Sequence, residues 1–275
     1  MFVQLIFHAH GRFPWAGDAE LNAFVRTVAR VGGPSVVLFG FAGDHGHVVV
    51  QTPDMRSLGF LRSKLRRARP FSKLAAADVL VRPVDDRDHL ATLIGYMGRQ
   101  PLHHEVSGDP ALSLGSSLPD LVGARSLPGF TAATVAAALP AVDVAETGLR
   151  AIGLKGPLLP APDVALTEFG AAAIWRACRD ALAFDGNGRS EYAIAARSAL
   201  RVLTAAAGIS ISEARDAGEI SRSAWFRLPG GADEAVLRVV RMRVSLVRMA
   251  AATPIESRIV SVRTPPPVMK PKRPR

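Results

Sequence analysis

Two apolar runs rich in β-branched residues, Pro34 to Gly40 and His47 to Thr52, are joined through little more than Ala42-Gly43-Asp44. So short a connection makes an antiparallel hairpin, because a parallel return needs a dozen or more residues. Around the hairpin the hydrophobic period alternates. Phe2 to His10 reads as a strand, Asp18 to Val31 as a helix, Met55 to Arg67 as a basic helix and Val79 to Val84 as a fourth strand. Asp88 to Gln100 then reads as a helix, with Leu90, Leu93, Ile94 and Met97 on its apolar side and Pro101 as its stop. The order βαββαβα suits an α+β fold of ferredoxin-like type, an antiparallel sheet with helices on one face.

The hairpin also carries chemistry. His45 and His47 lie two residues apart, so on a strand they project from one face roughly 6 to 7 Å apart, within reach of a single ion. Tyr96 and Gln100 are one turn apart on the last helix and share a side of it. A phenol and a carboxamide facing two imidazoles supply a nucleophile and a third metal ligand. Mixed nitrogen and oxygen ligands suit Mg2+ or Mn2+.

At these residues the chain resembles the single-tyrosine HUH transposases, in particular the REP-associated tyrosine transposase branch, over roughly residues 1 to 125. In that family a strand with His-x-His is followed by a helix with the pattern Tyr-Ile-x-x-Asn-Pro. Here the two segments are His45-Gly46-His47 and Tyr96-Met97-Gly98-Arg99-Gln100-Pro101. The resemblance implies that His45, His47 and Gln100 are metal ligands and that Tyr96 is the nucleophile. Two positions depart from the pattern. Gly46 replaces a bulky apolar residue, and Gln100 replaces Asn while keeping the amide oxygen. The resemblance further implies a single-stranded DNA substrate, often beside a hairpin, and a homodimer. Gly115-Ser116-Ser117, with Asp120, Gly123 and Arg125 after it, resembles the region following the tyrosine helix in the same proteins.

The charge balance agrees with an anionic partner. Lys and Arg number 34 against 24 Asp and Glu, a net charge of +10, which favours nucleic acid over a membrane. The run Arg62, Lys64, Arg66, Arg67, Arg69 and Lys73 is ordinarily a solvated face, but beside a DNA-cleaving site it becomes a track for the phosphate backbone, giving salt-sensitive affinity without sequence preference. The single Cys178 leaves no intramolecular disulfide and no cysteine zinc site, as expected in a reducing cytoplasm. No apolar run is long enough to span a bilayer, and the N-terminal MFVQLIFHAH lacks the features of a signal peptide. The expected location is cytoplasmic and nucleoid-associated.

Four segments are expected: a catalytic domain over 1–107, an extension and linker over 108–162, a helical domain over 163–252 and a basic, Pro-rich tail over 253–275. In the helical domain, Ser210 to Gly218 and Glu219 to Arg227 read as a helix-turn-helix. Arg222, Ser223 and Arg227 would then meet duplex DNA in the major groove. The match is imperfect, because Glu219 stands where an apolar residue should follow the glycine. Other histidines are weaker candidates: His8-Ala9-His10 ends a strand without an obvious nucleophile, and His103-His104 follows Pro101.

Three functions compete. The first is metal-dependent cleavage and rejoining of single-stranded DNA through a 5′-phosphotyrosine at Tyr96. An ordinary phenol is almost wholly protonated at neutral pH, so the nucleophile needs a polarised phosphate or a nearby base. The second is a non-catalytic, domesticated DNA-binding protein that recognises hairpins or repeats. The third is a water-using phosphodiesterase in which Tyr96 is structural.

Overall fold

The β-hairpin pairs as its short connection requires, and it forms half of a four-stranded antiparallel sheet. The computed structural model describes residues 1–8, 18–41, 45–67, 79–103, 108–130, 132–184 and 190–262. The strands are β1 (Phe2–His8), β2 (Val36–Phe41), β3 (His45–Gln51) and β4 (Val79–Val84), in the order β2-β3-β1-β4. Between and after them come α1 (Asp18–Gly32), α2 (Met55–Arg67) and α3 (Arg87–His103). The fold is α+β. The third strand begins at His45, two residues earlier than its apolar run suggested, so both histidines lie within it. His10 and the hairpin turn lie outside the described residues.

The sheet is covered on both faces, which corrects the expectation of helices on one. On the first face Val3, Leu5, Phe7, Val48 and Val50 pack against Phe24, Val25 and Val28 of α1 and Leu58, Leu61 and Leu65 of α2. On the second, Leu38 and Val49 pack against Leu90, Leu93, Ile94 and Met97 of α3. The composition of the central strands explains the double cover. VVLFGF in β2 is buried at every position and β3 at all but its last, so neither could leave a face in water. The helix α3 crosses β2 closely, since a Cβ on Gly40 would come within 3.1 Å of the Met97 sulfur.

Pro101 does not stop α3, which continues to His103. In the last turn a proline forfeits one intrahelical bond, that to the carbonyl four residues back, with little helix left to disrupt.

The segment expected as extension and linker contains three helices, α4 (Leu118–Leu121), α5 (Ala132–Ala138) and α6 (Val144–Ala151). Its apolar residues join the cores around it: Leu127 and Phe130 pack with α1 and α2, and Leu121, Val135, Leu139 and Val144 with α3. Leu118, Val122, Leu149, Ile152 and Leu154 cluster with Leu246 and Ala250 of the helical region. Its first part also closes the edge of β2, where the Phe41 amide donates to the Gly115 carbonyl at 3.0 Å and the Ser117 amide to the Phe39 carbonyl at 2.9 Å. Arg125, 3% exposed, holds this loop in shape. It bonds both oxygens of Asp120 and donates to the carbonyls of Leu114 and Ser116, each at 2.6 Å.

The helical region comprises α7 (Asp163–Ala181), α8 (Glu191–Ala206), α9 (Ile211–Ala217), α10 (Arg222–Arg227) and α11 (Glu234–Ala252). They surround a core that includes Ile174, Trp175, Leu200, Leu203, Trp225 and Val244. Within the segment expected as a basic tail, Ile255–Val262 forms α12. Arg258 ties that helix back by bonding Asp109 and the Ala250 carbonyl. Among the described residues no helix is long and apolar enough to cross a membrane.

The Asp120–Arg125 pair carries the first prediction. Burial pushes the Asp120 carboxyl up, and the Arg125 guanidinium opposes that push. Arg125→Met strands a buried carboxylate and two carbonyls, so it should cost about 3 to 5 kcal/mol of stability. Urea unfolding at neutral pH measures it, and a loss near zero would show that the loop does not depend on the pair.

Candidate metal and nucleophile site

The site forms where β3 and α3 meet. In an antiparallel sheet, directly opposed residues share a face, so His45 and His47 lie on the same face as their partners His8 and Ile6 on β1. That is the face α3 covers. The His45 and His47 rings are edge to face with centroids 4.9 Å apart, and the Tyr96 ring stands 5.2 Å from that of His47. The Tyr96 hydroxyl lies 3.4 Å from His47 Nε2. Both histidines are buried and Tyr96 is half-buried. Three of the four residues singled out in the sequence are therefore neighbours, although 49 positions separate His47 from Tyr96.

Gln100 follows one turn after Tyr96. Met97, between them, sits against Gly40, which pairs with His47. Gln100 is 1% exposed, and neither its amide oxygen nor its nitrogen has a hydrogen-bond partner. A buried amide without partners costs roughly 1 to 3 kcal/mol, so the position calls for an explanation.

Gln4, which the sequence reading passed over, completes the cluster. Its amide nitrogen lies 3.1 Å from His47 Nδ1, and it is 6% exposed in the middle of β1. This contact sets the imidazole's tautomer. As placed, the amide donates to Nδ1, and the ring proton sits on Nε2, facing the Tyr96 hydroxyl. Turning the amide over presents its oxygen to a protonated Nδ1 and leaves the Nε2 lone pair for an ion. The only sign of Gln4 in the sequence is a polar residue inside the otherwise apolar run FVQLIF.

The donor types are ones that a divalent ion accepts: two imidazoles offer nitrogen, Gln100 a buried amide oxygen without a hydrogen-bond partner, and Gln4 contacts one imidazole at its other nitrogen. Among the described residues no three His, Cys, Asp or Glu side chains form a ready cluster, and in the proposed set the third donor is an amide.

Gly46 pairs with Phe7 on one side and Phe41 on the other, and both of these side chains are buried, so a bulky residue at this position would have to pack beside two large rings.

The other expected residues lie elsewhere. Arg62, Lys64 and Arg67 are on α2, against the opposite face of the sheet from Tyr96. Lys64 rests over the Phe60 ring at 4.5 Å, and Arg67 bonds the carbonyl and hydroxyl of Ser63. Arg66 belongs to the same helix, its side chain outside the described residues, as are Arg69, Lys73 and His104 altogether. His103 ends α3, and its side chain is likewise not described. The α2 cations are thus not brought beside the histidines and Tyr96.

Arg222, Ser223 and Arg227 are exposed together on α10, with Phe226 between them 59% exposed. Ser210 and Ser221 cap α9 and α10 by accepting from the Glu213 and Ala224 amides. Glu219 takes a left-handed conformation at φ 50°, and Ile220, one position later, enters the core in place of the expected apolar residue.

No protein family, curated protein or solved structure matches the chain.

The packing around Gly46 is open to a direct check. Gly46→Leu should overpack Phe7 and Phe41 and cost about 1 to 3 kcal/mol. Thermal and urea unfolding measure this, and an unchanged midpoint would mean that the two rings leave room.

Proposed function

We propose that the protein is a metal-dependent single-stranded DNA transposase or endonuclease of the single-tyrosine HUH type, with Tyr96 as nucleophile and His45, His47 and Gln100 as metal ligands. The observation that carries this reading is the Tyr96 hydroxyl 3.4 Å from His47, with unpartnered Gln100 one turn away on the same helix. The strand order and the two helices on one face also agree with a ferredoxin-like core.

A bound Mg2+ or Mn2+ ion supplies Lewis-acid charge to the scissile phosphate. The protein's own residues do the rest. β3 and α3 fix the phenol beside the imidazoles, and Gln4 orients His47 through its ring nitrogen. In the reaction the Tyr96 oxygen bonds to phosphorus while the bond from phosphorus to the 3′ oxygen breaks. The phenol gives up a proton and the departing oxygen gains one. The phosphotyrosine keeps the energy of the broken ester, so the strand can be rejoined without ATP.

The rest of the chain supports a DNA substrate. The exposed cations of α10 and its capped neighbour α9 have the form of a helix-turn-helix, which would take duplex DNA, while the cations of α2 would hold phosphates at a distance from the cleavage point. A homodimer and a cytoplasmic, nucleoid-associated location go with this reading.

The test is incubation with labelled single-stranded oligonucleotides carrying hairpins, in Mn2+ or Mg2+, followed by a denaturing gel. The wild type should give a retarded covalent band that Tyr96→Phe abolishes. DNA binding without an adduct on any substrate would leave the domesticated, non-catalytic binder as the function. Cleavage that persists in Tyr96→Phe would point to a water-using phosphodiesterase.

A further inference from the structure

We infer that His8 is a third imidazole ligand of the same ion, an assignment that rests on the metal site proposed above. His8 is the last residue of β1 and pairs directly with His45 across the sheet, on the face that α3 covers. Their rings are stacked, with centroids 6.0 Å apart and planes 23° from parallel. Two imidazoles bonded to one ion at about 2.1 Å put their ring centroids no more than roughly 6.5 Å apart. The spacings of 6.0 Å for His8 and His45 and 4.9 Å for His45 and His47 both fall inside that limit.

The burial of the three rings divides the work. His45 and His47 are enclosed between sheet and helix, whereas His8 is exposed at the open end of its strand. Among the described residues the three do not yet converge as a finished metal cluster. His8 can close the set by turning about its own side-chain bonds, because at that exposed end no core has to be repacked. It stands at the mouth of the site, where an ion enters.

A third imidazole changes which ion is preferred. Mg2+ holds its waters tightly and favours oxygen ligands, whereas each imidazole added moves the preference toward transition-metal ions, of which Mn2+ is the weakest binder and the later members of the first row bind more tightly. Three neutral nitrogen donors with one amide oxygen therefore take Mn2+ in preference to Mg2+, and later first-row ions more tightly still.

The experiment is a titration of the full chain with Mn2+, read from loss of the free-ion electron paramagnetic resonance signal, with nitrogen couplings of the bound ion counted by pulsed methods. Circular dichroism checks that each variant is folded. His8→Ala should weaken Mn2+ binding about tenfold or more, as losing a ligand does, and should remove one nitrogen coupling. Excess Mg2+ should displace little of the ion from the wild type. If His8→Ala stays within about twofold of wild type while His45→Ala loses the ion, His8 is no ligand and the site above stands without it. No uptake by the wild type, or uptake that neither substitution changes, removes the ion site itself and this inference with it. The covalent band at Tyr96 reads the cleavage reaction independently.

Discussion

Everything near the site depends on β3 being buried on both faces. Val48 and Val50 face the layer made by α1 and α2, while His47 and Val49 face α3. A strand with one wet face would have left the imidazoles in water, with no fixed neighbour. Covering that face with α3 places Tyr96 against His47 and brings Gln4 up to its other ring nitrogen. The polar cluster is affordable there because its members bond one another. Gln100 is the exception, and its unpaired amide is the one feature of this packing that calls for something further.

The second constraint is electrostatic. Buried arginines pin the middle of the chain to both ends of the fold. Arg125 gathers Asp120 and two carbonyls beneath the edge of β2, Arg243 joins Asp180 and the Leu112 carbonyl, and Arg258 joins Asp109. Such pairs contribute modest net stability against apolar replacements, but breaking one is expensive, so they fix position more than they add strength. They fix a stretch rich in Gly, Pro and Ser against the rest of the fold. The motif around Gly115 to Arg125 serves the β2 edge through this network, which is a structural task whatever the chemistry next door.

The two sets of expected DNA-binding cations turn out to be unequal. Those of α2 sit behind the sheet from Tyr96, because that helix uses Leu58, Leu61 and Leu65 to cover the opposite face. A strand that reached both would have to pass around the sheet. Those of α10 are presented together, with exposed Phe226 among them, on a helix whose Trp225 is anchored in the core. That arrangement offers a surface for a partner, and it separates any duplex contact from the histidines and Tyr96.

The local pattern of this chain was legible from its residues. Periodicity placed α2, which buries a repeating face, and β4 at their observed bounds, whereas α12 falls in the segment expected as a basic tail. The spacing of His45 with His47, and of Tyr96 with Gln100, put each pair on one side of its element. Only the tertiary structure decided which side. It set α3 on the far face of the sheet from α1 and α2, carried α3 past Pro101 and brought Gln4 of β1 up to His47. Short-range geometry follows from φ/ψ and side-chain period. Face, register and neighbour depend on which apolar surfaces find each other across long stretches of chain, and no local repeat encodes that choice.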